Sequence, residues 1–322
     1  MIISKTPFRI SIFGGSTDYP SYYMKHGSLL VGFTIDKYCY LSVKKTPKIF
    51  NYKTAVSYSR LEKVSKNSDI QHNGVRGGLQ YFNIRYGLEI NHLCDLPSQT
   101  GIGSSSSFIV GLINSISSLR NKDVSKNYLA NTAIEIERNL LGEPGGIQDQ
   151  IWAAYGGINS IHIRPDGSFE VRPMPISEKF KTSFLDRLAL IYTGKTRRSF
   201  GIAEAHNDKK NHSAKRKIQS IAELGYNALA DQDIDSVGQL LDESWRAKKN
   251  ISDLISSDCI ESLYSELKDN GMIGGKLLGS GGSGFILCVL KQGAQKGFNK
   301  RFDKLLTDFN FSESGSQIIN RD

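Results

Sequence analysis

The sequence is poor in cysteine. Four residues in 322, Cys39, Cys94, Cys259 and Cys288, lie scattered with no C-x-x-C pair. They read as small buried thiols of a reducing compartment, not as a disulfide framework. Histidine is sparse as well: His26, His72, His92, His162, His206 and His212 show neither H-E-x-x-H nor a His/Cys ligand spacing, so no zinc site is expected. No apolar run approaches the ~18 residues of a spanning helix. Lys5 and Arg9 fall where a secretory segment would place its apolar core, so a cytoplasmic protein with no membrane partner is expected. A disordered chain is excluded too, because hydrophobic residues at 39% and aromatics at 10% can build sizeable cores. At roughly 150 residues per domain, the length fits two domains.

What is present in excess is glycine, 31 residues against a usual ~7%, and it is clustered. In the first cluster, Phe8, Ile10 and Ile12 alternate with Arg9, Ser11 and Phe13 as a strand. The run Gly14-Gly15-Ser16-Thr17-Asp18-Tyr19-Pro20 then breaks it. Alternation sets Arg9 on the face opposite the apolar stripe; taken alone, the segment reads equally as a Gly-Gly turn with a surface arginine. In the second, the alternating Leu88, Ile90, Cys94 and Leu96 lead through Pro97-Ser98-Gln99-Thr100 into Gly101-Ile102-Gly103-Ser104-Ser105-Ser106-Ser107. Phe108, Ile109, Leu112, Ile113, Ile116 and Leu119 follow at helical spacing. Strand, Gly/Ser loop and helix start in that order make an anion site: free N–H groups and the positive dipole end face the ligand, and glycine allows close approach.

The third cluster, Gly274-Gly275-Lys276-Leu277-Leu278-Gly279-Ser280-Gly281-Gly282-Ser283-Gly284, contains a literal G-x-G-x-x-G, but a strand (Phe285–Leu290) follows it where a dinucleotide fold needs a helix. Gly194-Lys195-Thr196 ends like a Walker A loop, yet Ala189 holds the first-glycine position. A phosphate bound by this chain is bound without a P-loop.

Two acids bracket a glycine turn. On a helix over 126–141, Glu137 falls within the apolar stripe of Leu129, Ala133, Ile136, Leu140 and Leu141, and a carboxylate there needs a partner. Gly142-Glu143-Pro144-Gly145-Gly146 ends that helix. Asp149 stands at or near the cap of the next one, a position that suits a capping acid as well as a catalytic one. Beside a phosphate loop, such a pair suits one magnesium ligand and one base.

Further on, residues 157–163 and 169–171 form a hairpin around Pro165-Asp166-Gly167, and a second domain begins with a strand at Leu188–Thr193. Helices are expected at about 199–206, 214–230, 235–248 and 258–269, the last opened by a capping box of Asp258 and Glu261. The pattern is α+β in two lobes. The excess positive charge is local: Lys195, Arg197, Arg198, Lys209, Lys210, Lys215, Arg216 and Lys217 stand against only Glu204 and Asp208. Phe200 is the one aromatic among them, which disfavours a nucleic-acid surface; a small anionic substrate fits better.

Together, the three ordered glycine clusters and the acid pair resemble the GHMP kinases, the family of galactokinase, homoserine kinase, mevalonate kinase and phosphomevalonate kinase. The segments from Pro7 to Tyr19, Gly101 to Ser107 and Lys276 to Gly284 look like its three motifs, and the likeness spans most of the chain. Within the family, Ser4-Lys5-Thr6-Pro7-Phe8-Arg9-Ile10-Ser11, Gly146-Ile147-Gln148-Asp149-Gln150, Ala154-Tyr155-Gly156-Gly157 and Tyr192-Thr193-Gly194 resemble the D-glycero-D-manno-heptose 7-phosphate kinases. The resemblance implies a two-lobed fold: an N-terminal ribosomal-protein-S5-like α/β domain over 1–186 and a C-terminal ferredoxin-like α+β domain over 187–322. It implies phosphorylation, by ATP and Mg2+, of the anomeric hydroxyl of a heptose 7-phosphate on a route to nucleotide-activated heptose for surface polysaccharide.

Carried over position by position, Asp149 would be the catalytic acid–base residue and Arg9 its neighbour at the reacting hydroxyl. Glu137 and Ser105 would hold magnesium. Gly101, Gly103, Ser104, Ser105, Ser106, Ser107, Gly281 and Gly282 would hold ATP. Asp18, with Gly14, Gly15 and Ser16, would meet the sugar, and Thr193, Gly194, Lys195, Arg197 and Arg198 its phosphate. Two departures stand out: Ser16 replaces the acid or histidine of many sugar kinases of the family, and Ser106 and Ser107 replace small apolar residues. Two alternatives stay open, a kinase of an unphosphorylated sugar of the fucose or galactose type and a sugar-sensing homologue without catalysis. Oligomeric state is not legible.

Overall fold

The computed structural model describes residues 1–194 and 211–321; the helix expected near 199–206, together with Lys195, Arg197, Arg198, Lys209 and Lys210, lies outside the described residues. Strand β1 (Ile2–Phe13) is covered on both faces: Phe8, Ile10 and Ile12 are fully buried, and so, opposite them, are Arg9 at 4% and Ser11 at 5% exposure. The surface-arginine reading of this segment is thereby removed. Register shifts at Pro7/Phe8 and Ser11/Phe13 bend the strand, the first at the proline that has no N–H for the ladder.

Helix α1 (Pro20–His26) leads to β2 (Ser28–Lys45), whose 18 residues reach ~60 Å. One edge of β2 pairs with β1. The other is shared, its first part with β6 (Ile158–Ile163) and its last part with β5 (Leu88–Cys94). The small hairpin β3 (Thr54–Ser57) and β4 (Leu61–Val64) extends the sheet beyond β5, and β7 (Phe169–Pro173) completes the expected hairpin with β6. Helix α2 (Asn73–Tyr81) packs on α3 (Ser104–Leu119), which lies against β1 and β2. Helix α4 (Lys126–Ile134) runs on as a π-helical turn, Glu135–Leu140, before α5 (Gln148–Tyr155).

After α6 (Glu178–Asp186), the second lobe is a three-stranded antiparallel sheet. Its order is β8 (Leu188–Tyr192), β10 (Phe285–Leu290), β9 (Met272–Leu277). Helices α8 (Ile234–Lys249) and α9 (Asp258–Asp269) pack on it; α7 (His212–Ala230) packs on α8 and on β1 and β2 of the first sheet, and α10 (Gln295–Phe302) follows β10. The α+β class holds. Three details differ from the sequence reading. Gly274, Gly275 and Lys276 belong to β9, so the third glycine loop starts only after Leu277. Ser257, not Asp258, stands at the N-cap position of α9, without a side-chain cap bond, and Glu261 bonds Lys249 and Ser256 instead of closing a capping box. The last strand, β11 (Gln317–Arg321), lies within the stretch assigned to the second domain but pairs with β1 in the first sheet.

Candidate active site

Where β1 and α3 converge, the loop before α3 takes left-handed conformations at Gln99, Gly101 and Gly103. Gly103 is the N-cap and supplies no side-chain cap, so the first-turn N–H groups of this 16-residue helix keep their capacity for an anion. Ile102 anchors the loop: it is fully buried and its carbonyl accepts from Arg9 N at 3.0 Å. The third glycine loop docks on it without intervening side chains. A Cβ on Gly279 would overlap Gly101 Cα, and one on Gly284 would overlap the Thr100 carbonyl.

Arg9 reaches across to α5. Its Nε and Nη2 hold Asp149 Oδ1 at 2.8 and 2.7 Å, while Nη1 donates to the Gly101 carbonyl. One guanidinium therefore ties the anion loop to a carboxylate that is one-quarter exposed. Asp149 sits in the first turn of α5, whose N-cap is Ile147; it is not the capping residue. Glu137 projects inward from the π-helical turn and is 1% exposed. Ser105 Oγ at 3.2 Å, Ser106 Oγ at 2.8 Å and Gln150 Nε2 all donate to it. Burial pushes its pKa up, against the pull of Arg138 and of those donors.

Asp18 is buried on the other side of the glycine turn. It accepts from Gln148 N at 3.2 Å, Gln148 Nε2 at 3.1 Å and Ser16 N at 3.1 Å. Burial raises its pKa, and the nearby charge of Asp149 adds to the shift. A Cβ on Gly146 would overlap the Asp18 carboxylate, so this glycine is what lets the acid approach. Arg138 fastens the same turn, donating to the carbonyls of Gly146 at 3.1 Å and Glu143 at 3.0 Å.

Two buried lysines complete the electrostatics. Lys276 on β9 donates to the Ile12 carbonyl at 2.9 Å, and Lys248 in the last turn of α8 donates to Leu277 O at 2.9 Å and Gly279 O at 2.6 Å. Burial, with Arg9 alongside, brings Lys276 down to about 7 against the pull of Asp18. Burial and the charges of Lys276 and Arg9 lower Lys248 as well.

Arg9, Asp18, Asp149, Lys248 and Lys276 line a cleft of about 630 Å³. Of the positions singled out in the sequence, Arg9, Gly15, Ser16, Asp18, Gly101, Gly103, Ser104, Ser105, Asp149 and Gly281 border it. Others stand behind the wall. Glu137 and Ser106 bond each other, Ser107 Oγ bonds Pro7 O, Gly14 packs on Leu29, and Gly282 N donates to Ile255 O. Thr193 exchanges hydrogen bonds with Gly284, and among the described residues no atom lies within 4 Å of where a Gly194 Cβ would stand; neither borders the cleft. Lys195, Arg197 and Arg198 lie outside the described residues. Lys248, Lys276, Gln148 and an aromatic wall of Tyr58, His72, His92 and Phe108 were not anticipated. Lys248 did leave a trace, since it follows Leu241 and Trp245 on the buried stripe of α8.

Residues 68–157 match the family described as GHMP kinases N terminal domain, and residues 226–304 match GHMP kinases C terminal. The chain is 30% identical to a D-glycero-alpha-D-manno-heptose 7-phosphate kinase of Campylobacter jejuni, over 98% of this chain and 97% of that protein. It is 23% identical to a galactokinase of Thermotoga petrophila, over 95% and 93%. A crystal structure titled as a D-glycero-D-manno-heptose 1-phosphate kinase from Bacteroides thetaiotaomicron superposes with a TM-score of 0.82 at 21% identity, covering 99% of both chains.

Proposed function

Because the chain belongs to the GHMP kinase family, we propose that it transfers a phosphoryl group from ATP to the anomeric hydroxyl of D-glycero-D-manno-heptose 7-phosphate. The product would be the 1,7-bisphosphate, consumed in the cytoplasm on the way to nucleotide-activated heptose for surface polysaccharide. One observation carries the reading: a single arginine, Arg9, joins the carboxylate of Asp149 to the loop that opens α3. That arrangement sets a proton acceptor beside a ready-made triphosphate cradle. Phosphoryl transfer through a loose transition state asks the protein for positioning and charge neutralisation more than for covalent chemistry.

In this reading the loop 99–103 and the first turn of α3 receive the triphosphate, with the backbone of Gly281 bordering it; Gly282, expected to share that role, is tied to the Ile255 carbonyl behind the wall. Asp149 accepts the acceptor hydroxyl's proton at its free carboxylate oxygen, and Arg9 steadies the charge that develops. Asp18 orients the sugar hydroxyls beside Gly15 and Ser16. Lys276 and Lys248 add positive charge at the cleft floor. The far phosphate of the substrate is assigned to Lys195, Arg197 and Arg198 on the sequence resemblance alone; Thr193 and Gly194, expected to join them, do not border the cleft and are not assigned to it.

The donor set suits magnesium, since Ser105 Oγ and the Glu137 carboxylate are hard oxygen donors within hydrogen-bond distance of one another. When bound there, the ion would neutralise triphosphate charge. Glu137 would hold it from behind, and Ser105 from the cleft side.

The likeness to galactokinases supports a second reading, a kinase of an unphosphorylated sugar. Measuring ADP release with heptose 7-phosphate, heptose, fucose and galactose separates the two. The proposal requires kcat/KM for the phosphorylated heptose to exceed that for the free sugars by at least about tenfold, the scale of one lost charged contact. Equal turnover of free sugars would favour the second. Binding without turnover of any sugar would leave a sensor.

A further inference from the structure

A cluster that phosphoryl transfer does not use lies in the sheet behind the cleft. Cys39 on β2 and Cys94, the last residue of β5, are directly paired across the two strands, so their side chains leave the same face. His92, two residues before Cys94, shares that face. Cys94 Sγ lies 2.8 Å from His92 Nε2, and the three donor atoms all lie within 4.8 Å of one another. A tetrahedral ion with metal–sulfur bonds of about 2.3 Å and metal–nitrogen bonds of about 2.0 Å holds its ligand atoms roughly 3.5–3.8 Å apart. Reaching that geometry takes a retreat of the imidazole from Cys94 by under ~1 Å and a closure of the two separations to Cys39, which are 4.8 Å or less, by at most about 1.3 Å. Cys39 is buried, Cys94 and His92 are half-buried, and His92 borders the cleft, which gives an ion a way in.

Two thiol sulfurs and an imidazole are soft to borderline donors, the opposite of the oxygen set at Ser105 and Glu137. We propose that Cys39, His92 and Cys94 form a three-ligand site for a soft divalent cation of the zinc class, with the fourth position left to a non-protein ligand. The two thiols lose their protons to solvent as the ion binds. His92 also meets Phe108 edge-on, ring centroids 4.8 Å apart. An ion held by this imidazole would therefore fix one wall of the cleft.

The test is an anaerobic titration of the reduced, chelator-stripped full-length protein with Co2+. One equivalent should raise a thiolate-to-cobalt charge-transfer band and the intense visible bands of a tetrahedral ion, and one equivalent of Zn2+ should abolish both. Cys94→Ser should lose about half of the charge-transfer intensity at saturating cobalt, the Cys39 thiolate keeping the rest, and weaken cobalt binding by at least about tenfold, no less than the loss of an outer-shell partner. Cys259→Ser, at an exposed thiol outside the cluster, should keep the band. Should Cys94→Ser fail to fold, X-ray absorption of the wild-type zinc form decides, with two sulfurs and one imidazole expected. No thiolate band at stoichiometric cobalt, a band undiminished in Cys94→Ser, or a shell without sulfur would overturn the proposal.

Discussion

Asp149 and Asp18 stand on either side of Gly146, and their environments give them different work. Asp149 is partly open to the cleft and held by Arg9, so Asp149→Asn keeps the packing and removes the proposed proton acceptor. It should lower kcat by about 10²–10⁴ with little change in ATP affinity; steady-state rates and nucleotide titration check this, and near-normal turnover would reduce Asp149 to a first-turn helix acid. Gly146→Ala should push Asp18 out of place, because the added methyl overlaps its carboxylate. The KM for the sugar should rise more than the KM for ATP. Lys276 adds a pH dependence. Its folded pKa is about 7 against an ordinary 10.5, so between those values the unfolded chain binds more protons. Its contribution to stability therefore rises with pH across that window and is flat below it. Its charge in the cleft is lost over the same rise. For an anionic sugar, kcat/KM should fall as pH passes through about 7, and the fall should be absent in Lys276→Met. A pH profile unaltered by that substitution would place Lys276 away from the substrate.

Among the elements, the π-helical turn after α4 shows how far sequence pattern reaches. The helical wheel put Glu137 on the buried face, and there it is, satisfied by Ser105, Ser106 and Gln150. The strand–loop–helix order at 88–119 and the hairpin at 158–173 were equally legible, because each is local and period, glycine and polar turn residues mark it. The long β2 was not. It is buried on both faces in its first half and alternates only in its second, so no one period describes it. The role of Gly146 and the gathering of Arg9, Lys248 and Lys276 at one cleft were invisible for another reason: the partners lie far apart in the chain. The same holds for Cys39 with His92 and Cys94, where strand register supplies a juxtaposition that no spacing rule contains. At the third glycine loop, Gly279→Ala would meet backbone at a positive φ of 66°. It should cost about 1–3 kcal/mol, read as a fall in denaturation midpoint, and raise the KM for ATP; a neutral effect on both would mean that the two loops part easily.

At the scale of the whole molecule, the chain ends where it began. β11 pairs with β1 from Ile2 to Lys5, and Ser316 Oγ meets Thr6 Oγ1 at 2.9 Å. After the second lobe the chain thus returns to close the edge of the first sheet. Removing residues 317–322 should lower the melting temperature and bare the β1 edge to self-association, visible by calorimetry and size-exclusion chromatography; an unaltered melting point and elution volume would mean that this pairing contributes nothing. Between the lobes, the stretch at Thr100 and Gly101 rests on Leu278, Gly279 and Gly284 with bare main chain on both sides. That seam works as a shim of zero thickness. A methyl placed at Gly101, Gly279 or Gly284 becomes a spacer of known size, and, on the proposed reading, a graded series of such spacers would turn the gap between nucleotide and acceptor into a quantity an experimenter can dial.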